Sequence, residues 1–214
     1  MATIVITGAS RGLGLEFVRQ YAADGERIIA ACRNPEGAAE LKAVKGDVRT
    51  FSLDVGDAAS IERFAHDLDV PAIDILINNA GVYGKNQALG KMDYAGWEDV
   101  LRINTIGPLR LTEALLPKLA ASERKLVVAI TSQMGSIEDN GSGGYYAYRS
   151  SKAGLNMVVK SLAVDLKPKG VTAVVLHPGW VRTDRGGPNA PVEARDSVAG
   201  MRATIAKLRL ADSG

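Results

Sequence analysis

"TIVITGASRGLG", residues 3 to 14, sets five β-prone residues directly against a glycine-punctuated turn that runs on into helical periodicity. A strand at 3 to 7 followed by a helix at about 13 to 23 opens a βαβ unit if the alternation continues. It does continue. Apolar runs recur as "RIIAAC" (27 to 32), "VRTFSL" (48 to 53), "DILIN" (74 to 78), "KLVVAIT" (125 to 131) and "VTAVVL" (171 to 176). Helical stretches lie between and after them, at about 36 to 44, 58 to 68, 94 to 119, 147 to 167 and 193 to 208. Strands that are apolar on successive residues suit a parallel sheet covered on both faces. The expected fold is therefore α/β, a doubly wound parallel sheet of about six strands flanked by helices, in a single domain over residues 1 to 214.

Composition agrees with that expectation and narrows the partners. A chain of 214 residues with 46% hydrophobic content can bury one sizeable core but leaves little for a second. The net charge of +2 is spread without a basic block, so nothing argues for nucleic acid or an anionic membrane surface. Cys32 stands alone and cannot form an internal disulfide, and the first residues carry no secretory pattern, which together point to a cytoplasmic protein. No apolar run approaches the roughly 18 to 20 residues of a membrane span. His66 and His177 are too isolated to suggest a metal pair, and both read as structural.

Chemistry concentrates at the expected carboxyl ends of the strands, where open α/β sheets bind ligands. Gly8, Gly12 and Gly14 follow the first strand; there the backbone can approach a pyrophosphate, which the free amides and dipole of the next helix would hold. An ordinary strand-to-helix turn is the alternative. A dinucleotide site for NAD places an acid about 20 residues further on, but "AACRNP" has Arg33 there and Arg11 lies in the glycine loop. Guanidinium groups pair with a 2′-phosphate, so NADP(H) is favoured over NAD(H) unless both arginines are merely solvated. Asp54 ends the third strand and could equally cap the next helix. "NNAG" (78 to 81) can make a sharp turn or touch a cofactor. Pro108 lacks an N–H for the carbonyl of Asn104, so a continuous helix would bend there and leave an oxygen for water.

"GGYYAYRSSK" (143 to 152) holds three tyrosines and a lysine. Only Tyr148 lies four residues before Lys152, on one helical face continued by Leu155 and Val159. An ammonium one turn away favours the phenolate and brings the tyrosine toward acid-base use. Tyr145 and Tyr146 fall in the loop before the helix. Ser132, at the end of the fifth strand, can donate to an oxygen on which charge develops, with Ser136 as a weaker rival.

These motifs, in this order, resemble the short-chain dehydrogenase/reductase family over residues 2 to 184, beginning with its Thr-Gly-x-x-x-Gly-x-Gly segment. "GSIEDN", "YYAYRSSKAGLNM" and "LHPGWVRTD" are similar to its C-factor and sniffer-type carbonyl reductase branch. The resemblance implies a Rossmann-type domain in which Ser132, Tyr148, Lys152 and Asn104 are catalytic, Asn104 holding a relay water. It implies cofactor contacts from Gly8, Ser10, Arg11, Gly12, Leu13, Gly14, Arg33, Asp54, Val55, Asn79, Ala80 and Gly81. Tyr148, Lys152, Pro178, Gly179, Val181 and Thr183 complete that set. The implied reaction is NADPH-dependent reduction of an aldehyde, ketone or quinone. An NADPH-binding signalling protein of the C-factor type is the alternative. Tyr83, Met134 and Trp180 suggest a small hydrophobic carbonyl substrate under a loop at 183 to 200. Helices 94 to 119 and 147 to 167 pair into homodimers or tetramers in the family, and Ala153 and Gly154 would permit close approach. Because the chain stops at "LADSG", where the family continues into a seventh strand, the sixth strand is expected to have an open edge.

Overall fold

Alternation along the strands decides which side of the sheet each residue serves. In a computed structural model describing residues 1–214, strands β1 (Thr3–Thr7), β2 (Arg27–Cys32), β3 (Val48–Ser52), β4 (Ile75–Asn78), β5 (Leu126–Ile130) and β6 (Thr172–Leu176) form one sheet. Its order is β3-β2-β1-β4-β5-β6, with every pair parallel. Each strand lies within one residue, at either end, of its sequence expectation. Ile4, Ile6, Ile28 and Ala30 face α1 (Gly12–Ala23) and α7 (Ala194–Lys207), packing with Phe17, Val18, Met201 and Ile205. Val5, Ile29 and Ala31 face the opposite layer of α3 (Ala58–Asp67), α5 (Gly107–Ala120) and α6 (Tyr146–Asp165), with Phe64, Leu111, Leu115, Leu155 and Val159. Chain direction across the sheet reverses between β1 and β4, which opens a crevice at their carboxyl ends.

Four expectations are altered. The helix expected over 36 to 44 shrinks to one turn, α2 (Ala39–Lys42), because Asn34 Oδ1 accepts from Gly37 N at 3.1 Å and holds "NPEG" in a turn. The helix expected over 94 to 119 divides into α4 (Tyr94–Leu101), a π-helical segment (Arg102–Ile106) and α5. Pro108, the second residue of α5, cannot donate to Asn104, and the preceding turn widens so that Gly107 N donates to Arg102 O. The loop expected over 183 to 200 is shorter: β7 (Val181–Arg182) pairs with β8 (Val192–Glu193), and α7 starts at Ala194 because Val198, Met201 and Ile205 form a buried helical stripe. The edge of β6 is not wholly open, since the terminal residues lie along it: Ala173 N donates to Ser213 Oγ and Gly214 N to Ala173 O, both at 3.0 Å. No helix is long and apolar enough to cross a membrane.

Candidate active site

A cleft of about 1100 Å³ runs along the carboxyl ends of the strands. Every expected site residue lines it except Gly14 and Asn104, which lie just beneath its surface layer. At the β1–α1 end, Gly8 takes φ +67°, and a Cβ there would meet Ala80 Cα at 2.9 Å. A Cβ on Gly14 would stand 2.2 Å from Gly8 O, so Gly14 lets α1 sit against the loop it follows. Arg11, the residue before α1, is extended and its side chain makes no capping bond, leaving the first-turn amides to meet an anion. That arrangement fits a pyrophosphate.

Thr7, which opens the glycine motif but is not among the expected site residues, ties this loop to the end of β4. Its Oγ1 accepts from Asn79 N at 3.0 Å and Ala80 N at 2.9 Å, while Asn79 Nδ2 donates to Thr7 O at 2.9 Å. The side chain of Asn79 thus builds the turn, and the neighbouring Asn78 is buried. At the β2 end, Arg33 lines the cleft and enters no ion pair. Asp54 also lines the cleft. Its Oδ1 accepts from Gly56 N at 2.8 Å, and the cap of α3 comes from Asp57 instead.

At the other end, Tyr148 and Lys152 are buried one turn apart on α6, on the stripe continued by Leu155 and Val159. Lys152 Nζ donates to Ile130 O at 2.7 Å and sits 5.9 Å from the centre of the Tyr148 ring. Burial, reinforced by the positive charge of Arg185, lowers the Lys152 pKa to about 7. Ser132 follows β5 and faces the cleft, its Oγ accepting from Met134 N at 3.2 Å. Ser136 lies outside the cleft, where its Oγ accepts from Asp139 N at 3.2 Å, so only Ser132 fits the expected place. Tyr145 is left-handed (φ 51°) and 47% exposed. Tyr146 is exposed too, and it begins α6 instead of preceding it. Neither lines the cleft, which leaves Tyr148 alone of the three beside the lysine.

Asn104 is 1% exposed, and both ends of its side-chain amide are hydrogen-bonded within the protein. Oδ1 accepts from Val82 N and Nδ2 donates to Val82 O, both at 2.8 Å, and Nδ2 also donates to Ser151 Oγ at 3.0 Å. The side chain braces the segment after β4. Tyr83, on that segment, packs its ring 4.5 Å from that of Tyr148, and burial raises its own phenol pKa. Met134, Trp180, His177 and Cys32 are further lining residues. Burial lowers the His177 pKa and raises that of Cys32.

Two contacts span the mouth. Arg11 pairs with Asp184 at 3.4 Å, and Arg185 Nη2 donates to Gly81 O at 2.6 Å, linking the loop after β7 to both walls. Neither Asp184 nor Arg185 is among the expected site residues, although two charges inside the expected substrate loop are a legible signal: Asp184 ends the "LHPGWVRTD" stretch and Arg185 lies just beyond it. Gly154 serves the chain internally, for its Cβ position is 3.1 Å from Thr105 Cγ2 in the π-helical segment.

Comparison with known proteins adds an independent finding. Residues 2–193 match the family model described as short chain dehydrogenase. C-signal of Myxococcus xanthus is 50% identical over 154 residues, 72% of this chain and 93% of that one. Among solved structures, the carbonyl reductase Sniffer of D. melanogaster superposes with a TM-score of 0.92 at 33% identity, covering 98% of this chain and 93% of that one. The NADPH-bound carbonyl reductase from chicken fatty liver does so with a TM-score of 0.93 at 33% identity, covering 100% and 94%.

Proposed function

The chain belongs to the short-chain dehydrogenase family of oxidoreductases, and from that premise we propose that it reduces an aldehyde, ketone or quinone to the alcohol with NADPH. The observation that carries this reading is the convergence of Ser132, Tyr148 and Lys152 on one cleft whose far end is the uncapped start of α1. The similarity to the chicken fatty-liver carbonyl reductase, whose structure has NADPH bound, supports the choice of cofactor.

Residues of this chain divide the work by position. Gly8, Ser10, Gly12 and Leu13 present backbone to the pyrophosphate at the positive end of α1. Arg33 takes the 2′-phosphate, with Arg11 partly committed to Asp184. Asp54 and Val55 meet the adenine side, Asn79, Ala80 and Gly81 the sugar side, and Pro178, Gly179, Val181 and Thr183 the nicotinamide. When bound, NADPH supplies the hydride that goes to the carbonyl carbon. Ser132 donates a hydrogen bond to the carbonyl oxygen, and Tyr148 gives that oxygen its proton. One hydride and one proton together convert the carbonyl to the alcohol. Lys152 stabilises negative charge developing on the phenol oxygen and holds ribose. The main-chain carbonyl of Asn104 keeps the water that returns a proton. Tyr83, Met134 and Trp180 offer an apolar wall to a small hydrophobic substrate beneath the 183–191 excursion.

NADPH oxidation across a panel of aldehydes, ketones and quinones tests the proposal. Turnover of at least one, lost in Tyr148→Phe, is the expected result; no turnover in any class overturns it. A signalling role is the second reading, favoured by the 50% identity to a protein named C-signal. Tight NADPH binding with an empty substrate screen would support that role instead.

A further inference from the structure

The N–H of Tyr148 is one of the first-turn amides that a helix cannot satisfy internally. A Ser, Thr, Asp or Asn before the helix usually serves such amides. Here the preceding residue is Tyr145, left-handed and without a side-chain capping bond. The acceptor comes from a segment far away in sequence: Gln87 Oε1 takes the Tyr148 N–H at 2.9 Å. Gln87 is 8% exposed, and its Nε2 donates to Tyr83 O at 2.8 Å. One buried amide therefore holds the main chains of two tyrosines whose rings pack together.

The carbonyl side of Tyr148 is fastened as well. Ser151 Oγ donates to Tyr148 O at 2.8 Å and accepts from Asn104, which grips Val82 through both of its main-chain groups. The segment from Val82 to Gln87 is thus tied at both ends to the first turns of α6.

We propose that Gln87 is a positioning residue, capping α6 from outside the helix and so setting where the Tyr148 phenol stands against Tyr83. The proposal rests on Tyr148 as the proton donor. The site needs an acceptor at one end of the side chain and a donor at the other. Methionine fills similar volume with neither, ionised glutamate keeps only the acceptor, and asparagine falls one methylene short. A proton donor must keep hydrogen-bond reach to its target, and a misplacement of about 1 Å costs on the order of 100-fold in rate.

The test compares Gln87→Met, Gln87→Glu, Gln87→Asn and Tyr148→Phe with the unaltered protein, measuring NADPH Kd, kcat, KM and thermal unfolding on the best carbonyl of the panel. Gln87→Met is expected to lower kcat by about 10- to 100-fold with NADPH Kd held within about twofold, because the cofactor end of the cleft is untouched. Gln87→Glu should recover much of kcat where its carboxyl is protonated, since the acid's carbonyl oxygen accepts the Tyr148 N–H while its O–H donates to Tyr83 O. It should lose that recovery as pH rises and the ionised carboxylate faces the Tyr83 carbonyl. If Gln87→Met does not fold, Gln87→Asn carries the same comparison. Unchanged kcat in a folded Gln87→Met or Gln87→Asn, with Tyr148→Phe inactive, overturns the positioning role. Equal loss of kcat, NADPH binding and stability in Gln87→Met and Gln87→Glu reduces Gln87 to ordinary packing and overturns it too. Turnover surviving in Tyr148→Phe would instead remove the assignment of Tyr148 itself.

Discussion

At the β1–α1 end of the cleft, the anion-binding surface comes from one continuous stretch, Gly8 to Gly14. At the α6 end, Ser132, Tyr148 with Lys152, Asn104 and Gln87 arrive from four separate parts of the chain. The first region works through backbone amides and a helix terminus, which a local turn can present unaided. The second works through side chains whose places depend on buried partners, so it is only as good as the packing behind it. Binding and chemistry should accordingly fail separately.

The largest effect should come from Tyr148→Phe, which removes the proposed proton donor without disturbing the glycine loop. kcat is expected to fall on the order of 100- to 10,000-fold, while NADPH affinity, followed by fluorescence titration, stays within about twofold; exposed Tyr146→Phe should keep its rate. Loss of binding in Tyr148→Phe would break the separation. Gly14→Ala makes the opposite cut. A methyl 2.2 Å from Gly8 O must push α1 off its loop, costing about 1 to 3 kcal/mol, seen as a lower Tm and weaker NADPH binding. A normal Tm and Kd there would show that the close approach does not matter.

Arg33→Asp sharpens the picture within the binding half. NADPH should weaken by about 10- to 100-fold, the scale of one charged hydrogen bond, and NADH much less; an unchanged ratio of the two affinities would remove Arg33 from the site. The gentlest test is a slope. The Lys152 pKa is about 7 in the folded chain, below its ordinary value of 10.5. Between those values the unfolded chain binds more protons, so stability rises with pH across that window and the full burial penalty is present below it. Thermal unfolding of the free protein should therefore shift upward from neutral to about pH 10 relative to Lys152→Met, by no more than about 1.4 kcal/mol per pH unit. Parallel profiles for the two would count against a desolvated ammonium.

Much of this is legible in the amino-acid sequence. The six strands follow from short continuous apolar runs, the glycine turn from its residue types, and the pairing of Tyr148 with Lys152 from the 3.6-residue helical period. The structure places all of them as expected. Pro108 foretells a break in the long helix, but not that the chain answers with a π-helical segment. The spacing to Pro108 singles out the carbonyl of Asn104, yet it is the buried side chain that does the bracing. Gln87 carries no local sign of its importance, because its partner lies 61 residues away, and Thr7 opens the glycine motif without any sign that it binds a segment 72 residues away.

The sequence by itself determined the order of strands and helices, the flexible positions of the phosphate-facing turn and the one tyrosine that shares a face with the lysine. All three depend on backbone preferences and short repeats that act within a few residues. Only the tertiary structure decided which serine faces the cleft, what holds Asn104, and that Gln87 caps the helix of Tyr148. A buried side chain's hydrogen bond needs its partner within about 3 Å, and which groups come that close is settled by how the distant segments pack.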